Sequence, residues 1–232
     1  MLKRKNLTPD SPAKKSAILI TVGSIISLNH YNAVIWGSGI HTLTSLLKTY
    51  RWRKIAKFDV RAVRGPITKQ ILEAANYDCR NVAFGDPAIL MPLIYQPEVK
   101  EKKHNVSIIT HWYFDNTDSE IIESGANIID VNTSDYKSFI DEIVSSKLVI
   151  SSSLHGIILA ESYGIPAVFL NRNNCMKKEL IKYYDWYYST GRYSVKIALS
   201  LEEAMSITPM SIPDLSDLRE NLISAFPYDL WI

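Results

Sequence analysis

The segment VISSSLHGIILAESYGIPAVFL, residues 149–170, sets three serines and a histidine between an apolar run that reads as a strand and one that reads as a helix. With the strand ending near Ser151 and the helix beginning near His155, the strand-to-helix turn consists of Ser152, Ser153, Leu154 and His155. The first amides of a helix have no intrahelical acceptor and carry partial positive charge. Together with the hydroxyls, they can therefore hold a phosphate or a carboxylate. His155 could donate a proton at such a site. The competing assignment, a helix N-terminal histidine bonded to a neighbouring strand, is equally open on these grounds.

Other apolar runs also end in polar groups. In FDVRAVRGPITK, Arg64 stands immediately before Gly65 and Pro66, where its guanidinium could join a helix N-terminus in binding an oxyanion. Arg61, three residues earlier, fits a surface ion pair better. THWY (110–113) puts His111 at the end of a further run, and in FGDPAIL (84–90) Asp86 is placed to cap the helix that Pro87 starts. WGSGI (36–40) offers Gly37, Ser38 and Gly39 at a strand end, but the third glycine of a dinucleotide fingerprint is missing, as is a ribose-binding acid at the expected distance. NAD is therefore not expected. No Walker A, G-x-S-x-G, DxD or HExxH pattern occurs, and no metal site is indicated.

The elements that must position these groups are short Val- and Ile-rich runs bounded by Gly, Pro or Asn: 17–22, 33–37, 58–63 and 81–85, then 106–110, 126–131, 148–153 and 166–170. Runs of this kind without strict alternation suit parallel strands covered on both faces. Helices are expected from Pro66, near 118–125, over 134–146 with Ser134 or Thr133 as N-cap, over 155–163, within 177–192 and within 214–226. LMPLIYQPEVKEKKHN (90–105), with its prolines and Lys/Glu cluster, marks a linker. The expected organisation is α/β: a polar basic leader (1–16), a Rossmann-like domain (17–98), a second Rossmann-like domain (99–213) and a C-terminal helix (214–232).

Bulk properties narrow the function. Lys and Arg total 26 against 24 Asp and Glu, so the charge balance gives no argument for nucleic acid, and any anion site must be local. Cys79 and Cys175 belong to no metal or redox motif and suit reduced thiols. No signal peptide and no apolar run of membrane-spanning length is evident. A cytoplasmic protein is expected, with peripheral contact at the inner face of the membrane left open by the basic start.

Four segments together resemble the polysaccharide pyruvyl transferase family: VIWGSGI (34–40), DVRAVRGPIT (59–68), GDPAILMPLIY (85–95) and residues 149–170. YYDWYYSTGR (183–192) is similar to the branch that places pyruvate ketals on exopolysaccharide sugars. The resemblance implies a GT-B-like pair of domains with phosphoenolpyruvate, a co-substrate and not a cofactor, held between them. It further implies transfer of the pyruvyl carbon to two hydroxyls of one galactose or glucose residue, free or lipid-linked, with release of phosphate. His155 would be the functional histidine. Arg64, Ser152, Ser153, Leu154 and Gly156 would bind the donor, and His111, Gly37, Ser38, Arg61, Asp86 and Arg192 are further cleft candidates. Some relatives carry an arginine where this chain has Ser153, a contact that Arg172 or Arg192 could supply. Relatives also begin with an Asn-x-Gly-Asp-type segment that this chain lacks, which implies an incomplete first domain with an exposed strand edge.

Two alternatives stand beside this reading. One is a sugar-nucleotide glycosyltransferase, with Glu161 in the ribose-binding role; the other is a non-catalytic remnant that keeps a carbohydrate-binding surface. The oligomeric state is not fixed by the sequence.

Overall fold

The computed structural model describes residues 1–8, 11, 18–28, 31–42, 57–98, 101–111 and 119–231. Residues 9–10 and 12–16 of the expected leader, 99–100 of the expected linker and the last two residues of THWY lie outside the described residues. The chain forms two compact units. Unit 1 comprises Met1–Pro87, Lys178–Tyr193 and Leu215–Ile232, and unit 2 comprises Ala88–Lys177 and Ser194–Asp214. These bounds differ from the linear ones at 98/99 and 213/214. The chain enters unit 2 at Ala88, and the aromatic segment 178–193 returns to unit 1.

Unit 1 holds a parallel sheet in the order β1 (Ile18–Ile20), β2 (Ala33–Ser38), β3 (Phe58–Val63), β4 (Ala83–Phe84). Every residue of the central strand β2 is buried, as its unalternated apolar run requires, whereas Ile18 on the edge strand β1 is exposed. Helix α1 (Pro66–Ala74) crosses from β3 to β4 and lays Ile71 and Leu72 on a core that includes Ile20, Ile35, Val63 and Cys79. Burying each such isoleucine or leucine stabilises the fold by about 1.5–3 kcal/mol.

Unit 2 holds a second parallel sheet, in the order β6 (Asn127–Ile128), β5 (His104–Ile109), β7 (Ser146–Ser151), β8 (Ala167–Leu170), β9 (Ile197–Ala198). Its helices are α2 (Ser119–Glu123), α3 (Tyr136–Val144), α4 (Leu154–Ser162) and α6 (Leu201–Ser206); α5 (Leu180–Ser189) and α7 (Ser216–Ser224) belong to unit 1. The chain order reverses between β5 and β7, since β6 lies on one side of β5 and β7 on the other. At such a switch point the connecting helices diverge to opposite faces, leaving a crevice at the carboxyl ends of the strands.

Two local expectations change. The N-cap of α3 is Asp135, whose carboxylate accepts from the amides of Lys137 and Ser138, while Thr133 accepts from Asp135 N. The expected linker is docked at its start: Tyr95 Oη donates to Asp141 at 2.7 Å, and Tyr163 Oη donates to Tyr95 O at 2.7 Å. These bonds attach the segment to α3 and α4, so the unit boundary moves upstream to Pro87. In unit 1, α7 packs back onto the sheet. Trp36 Nε1 donates to Leu222 O, and the Trp36 ring meets Phe226 edge-on. Among the described residues, no helix is long and apolar enough to cross a membrane.

Candidate functional site

In unit 2, the switch point brings together two of the polar strand ends seen in sequence. Ile109 pairs with Ser151 across β5 and β7, so His111 and Ser153, each two residues farther on, stand at the same level above the sheet. Ser152 N donates to Ile109 O at 2.9 Å and ties the two ends together. The buried Ser151 is structural: its hydroxyl accepts from Ser153 N at 3.0 Å and lies 2.9 Å from Ser153 O and 3.2 Å from Ile109 O. This closes the turn and sends the chain into α4.

Ser153 is the N-cap residue of α4, but its side chain makes no capping bond. Leu154 is buried and anchors the first turn, and His155 follows it, half-buried. Gly156 has a packing role. A Cβ there would lie 2.4 Å from Ser151 Oγ and 3.1 Å from Ile109 Cγ2, so only glycine lets α4 approach the end of β7 this closely. His111 and Ser152 are both buried beside this turn. The turn thus presents a helix N-terminus, serine hydroxyls and an imidazole, a set suited to binding an oxyanion and transferring a proton.

In unit 1, the structure gives Arg64 a different place from the one expected. Its side chain is 0 % exposed: Nη1 donates to Ser24 Oγ at 2.6 Å, Nη2 donates to Ile40 O at 2.9 Å, and Nε stands 3.3 Å from Asp185 Oδ2. Asp185 Oδ1 in turn accepts from Thr68 N, and Oδ2 accepts from Thr68 Oγ1 at 2.6 Å. An oxyanion does sit at the start of α1 beside Arg64, as the sequence suggested, but it is the protein's own Asp185 carboxylate. Gly65, the N-cap of α1, has no side chain with which to cap it, so Asp185 caps from the neighbouring helix. A Cβ at Gly65 would come within 1.9 Å of Asp185 O, and one at Gly39 within 2.3 Å of Arg64 Cζ. The Arg64 guanidinium is thus partnered within unit 1 by Asp185, Ser24 and Ile40.

The remaining cleft candidates of unit 1 also have internal roles. Arg61 pairs with Asp59 at 2.7 Å and Asp229 at 3.1 Å, and its bonds to these two carboxylates hold its pKa above the usual arginine range. Gly37, at φ +85°, faces Pro87 so closely that a Cβ would lie 2.3 Å from Pro87 Cδ. Ser38 Oγ donates to Gly23 O, Asp86 is fully buried, and Arg192 lies over the Tyr187 ring with Nε bonded to Thr190.

The sequence reading missed Asp185, Thr68 and a second group of charged side chains in unit 1. His41 Nε2 lies 3.1 Å from Glu179 Oε2, and the same carboxylate oxygen accepts from the buried Lys182 ammonium. Burial holds Lys182 below the usual lysine range; Glu179 opposes that effect, and the Arg64 charge adds to it. Burial pushes Glu179 up, but its bonds to Lys182 and His41 prevail and leave it below the ordinary carboxylate range. One signal for Asp185 was present. A lone acid between residues that read as buried aromatics, in YYDWYY, must find a partner inside the fold.

Known proteins are similar to this one over much of the chain. The polysaccharide pyruvyl transferase family model matches residues 5–174. An uncharacterised protein of Acanthamoeba polyphaga mimivirus is 31% identical over 171 residues, covering 71% of this chain and 57% of its own length. The succinoglycan biosynthesis protein ExoV of Rhizobium meliloti is 25% identical over 188 residues, covering 75% of this chain and 54% of its own length. The chain thus spans about half the length of these curated relatives. The crystal structure of a functionally uncharacterised Klebsiella pneumoniae protein has the same fold, with TM-score 0.53 and 18% identity over 86% of this chain and 84% of that one. With the family model extending from the first strands through the serine-histidine turn, the chain belongs to the polysaccharide pyruvyl transferase family.

Proposed function

We propose that this chain transfers the pyruvyl group of phosphoenolpyruvate to two hydroxyls of one sugar residue in a surface polysaccharide or its precursor, forming a ketal and releasing phosphate. The observation that carries the reading is the position of His155, in the first turn of α4 at the switch point of a parallel sheet, in a chain of this family. In the proposed reaction His155 protonates the methylene carbon of the donor and C2 becomes oxocarbenium-like. The α4 amides and the hydroxyls of Ser152 and Ser153 receive the donor's anionic groups, which favours departure of phosphate. A first sugar hydroxyl adds to C2, and a second closes the ketal as the C–O bond to phosphate breaks. Two hydroxyl protons are lost: one replaces the proton given to carbon, and the other leaves on the phosphate. A galactose or glucose acceptor, and a cytoplasmic setting in keeping with the free thiols of Cys79 and Cys175, belong to the same proposal.

The test is phosphate release from phosphoenolpyruvate in the presence of galactosides and glucosides, with ketal products identified by mass spectrometry. Acceptor-dependent release is expected, and His155→Ala should lower turnover by about 10²–10⁴-fold with the fold intact. A His155→Ala variant turning over at the wild-type rate would remove His155 from the site. Folded wild-type protein that released no phosphate with any acceptor would overturn the reading itself.

A further inference from the structure

Helix α5 of unit 1 carries aromatic rings on two sides. Tyr183, Trp186 and Tyr187, at i, i+3 and i+4, are 1%, 0% and 0% exposed and fill the interior. Tyr184 and Tyr188, four positions apart on another side of the helix, are half-buried, with ring centroids 5.8 Å apart. Tyr193 joins this outer row from beyond the helix end. Gly191 N donates to Tyr188 O at 3.1 Å and Arg192 N to Tyr187 O at 3.0 Å, while Gly191, at φ +74°, takes the left-handed conformation that ends a helix and turns the chain back. The Tyr193 ring thereby comes to 5.3 Å from that of Tyr188, although the residue is 72% exposed. Thr190 braces the turn: its hydroxyl donates to Tyr187 O and accepts from Arg192 Nε. The ring planes are inclined by 51° and 45°, so the rings touch without covering one another as a parallel stack would. The solvent side of a surface helix ordinarily carries charged and polar residues, and three tyrosines in contact there offer aromatic area that the core does not use.

We propose that the row Tyr184, Tyr188, Tyr193 is a binding platform for a neutral hexose chain, a stretch of the polysaccharide acceptor; for the class of ligand this rests on the transfer proposed above. A pyranose has a face of C–H bonds and a rim of hydroxyls. A tyrosine ring gives the C–H face an electron-rich π surface to lie on, and its own hydroxyl stands at the rim, where it can exchange hydrogen bonds with those of the sugar. Aliphatic side chains would suit an apolar protein surface better, and a row without a carboxylate or a cation among its three members does not call for a charged ligand. The family to which the chain belongs handles polysaccharide, a ligand of this chemistry. Binding requires little reorganisation. A tyrosine has two side-chain torsions, Tyr188 is held between two ring neighbours, and the Gly191 turn fixes the approach of Tyr193, so little conformational freedom is lost when a sugar chain lies across the row. No covalent bond forms or breaks there; the platform holds glycan, one hexose to a ring.

The experiment titrates gluco- and galacto-oligosaccharides of one to six hexose units into the full chain by calorimetry, without phosphoenolpyruvate, and repeats the titration with Tyr188→Ala, Tyr188→Phe and Tyr193→Ala, with thermal unfolding as the check of folding. Affinity should rise from one unit to three, as each ring gains a sugar, and then level off. Tyr188→Ala removes the middle ring and Tyr193→Ala an end one, and each should weaken trisaccharide binding by about fivefold or more. Tyr188→Phe keeps the ring and should retain most of the affinity. Wild-type affinity in both alanine variants, or no oligosaccharide binding by the folded wild type, overturns the inference. A loss that appears only alongside a lowered melting temperature makes the row structural and also overturns it, as does self-association of the wild type that Tyr193→Ala abolishes in a protein that binds no sugar. Transfer to an acceptor with no measurable binding at the row overturns the platform alone. Oligosaccharide binding that needs these rings, in a protein that transfers no pyruvyl group, overturns the reaction and leaves the platform standing.

Discussion

Replacing Asp185 with asparagine keeps the shape of the side chain and one acceptor for Thr68 but removes the charge that faces Arg64. Among the described residues, the fully buried guanidinium would then keep Ser24 Oγ and Ile40 O as hydrogen-bond acceptors and lose its carboxylate. Breaking a buried pair from one side typically costs about 3–5 kcal/mol, because the remaining charge stays desolvated without its counterion. In a chain of this length 1 kcal/mol corresponds to about 2–4 °C, so Asp185→Asn should melt about 6–20 °C below wild type. Trp186, adjacent in sequence and fully buried, is a local fluorescence reporter of that transition. The paired replacement Arg64→Met with Asp185→Leu should cost less than the sum of the two single changes by about 1–3 kcal/mol, since it leaves no orphaned charge. A melting temperature within about 2 °C of wild type, roughly 0.5–1 kcal/mol, would refute the argument that Arg64 depends on this carboxylate.

Gly156→Ala drives a methyl group to 2.4 Å from Ser151 Oγ, so α4 must shift. The expected cost is about 1–3 kcal/mol, with a fall in kcat larger than that loss of stability explains; a folded variant with normal turnover would show that the α4 start does not position His155 for chemistry. Tyr95 is pushed up to about 12 by its hydrogen bond to Asp141, and Tyr163 to about 12 first by burial and then by the neighbouring Tyr95. Both are acids with raised folded-state pKa values, so their contribution is fully present below the unfolded tyrosine value of about 10 and is lost as pH rises towards 12. Unfolding midpoints should therefore decline across that window, and Tyr95→Phe should flatten the decline; an unchanged slope in the variant would count against the Tyr95–Asp141 bond as its source.

The strands were legible because parallel strands buried on both faces leave continuous apolar runs, and β2, β3, β7 and β8 fall on the runs read from sequence. Sheet order was not legible. The reversal at β5 and β7 arises from pairings between residues as distant as Ile109 and Ser151, and no local pattern encodes it. The serine-histidine turn could be read because strand, turn and helix are contiguous, so a local rule locates its amides and side chains. The Arg64 site could be read only in half. The sequence displays a cation at a helix start, which predicts an oxyanion there, but the anion comes from Asp185, 121 positions later, in a segment that returns to unit 1 after unit 2 has begun. Gly39 and Gly65 belong to the same half-visible site. Gly39 resembles part of a nucleotide-binding loop, yet it is small because the Arg64 guanidinium fills the space a side chain would need. A glycine-rich strand end beside an arginine therefore admits two physical solutions, an external anion or an internal carboxylate. An acid isolated among buried aromatics elsewhere in the chain favours the second, because burial obliges that acid to find a cation. In unit 1 the internal carboxylate occupies the helix start, so the Arg64 charge is met by Asp185 within the unit itself.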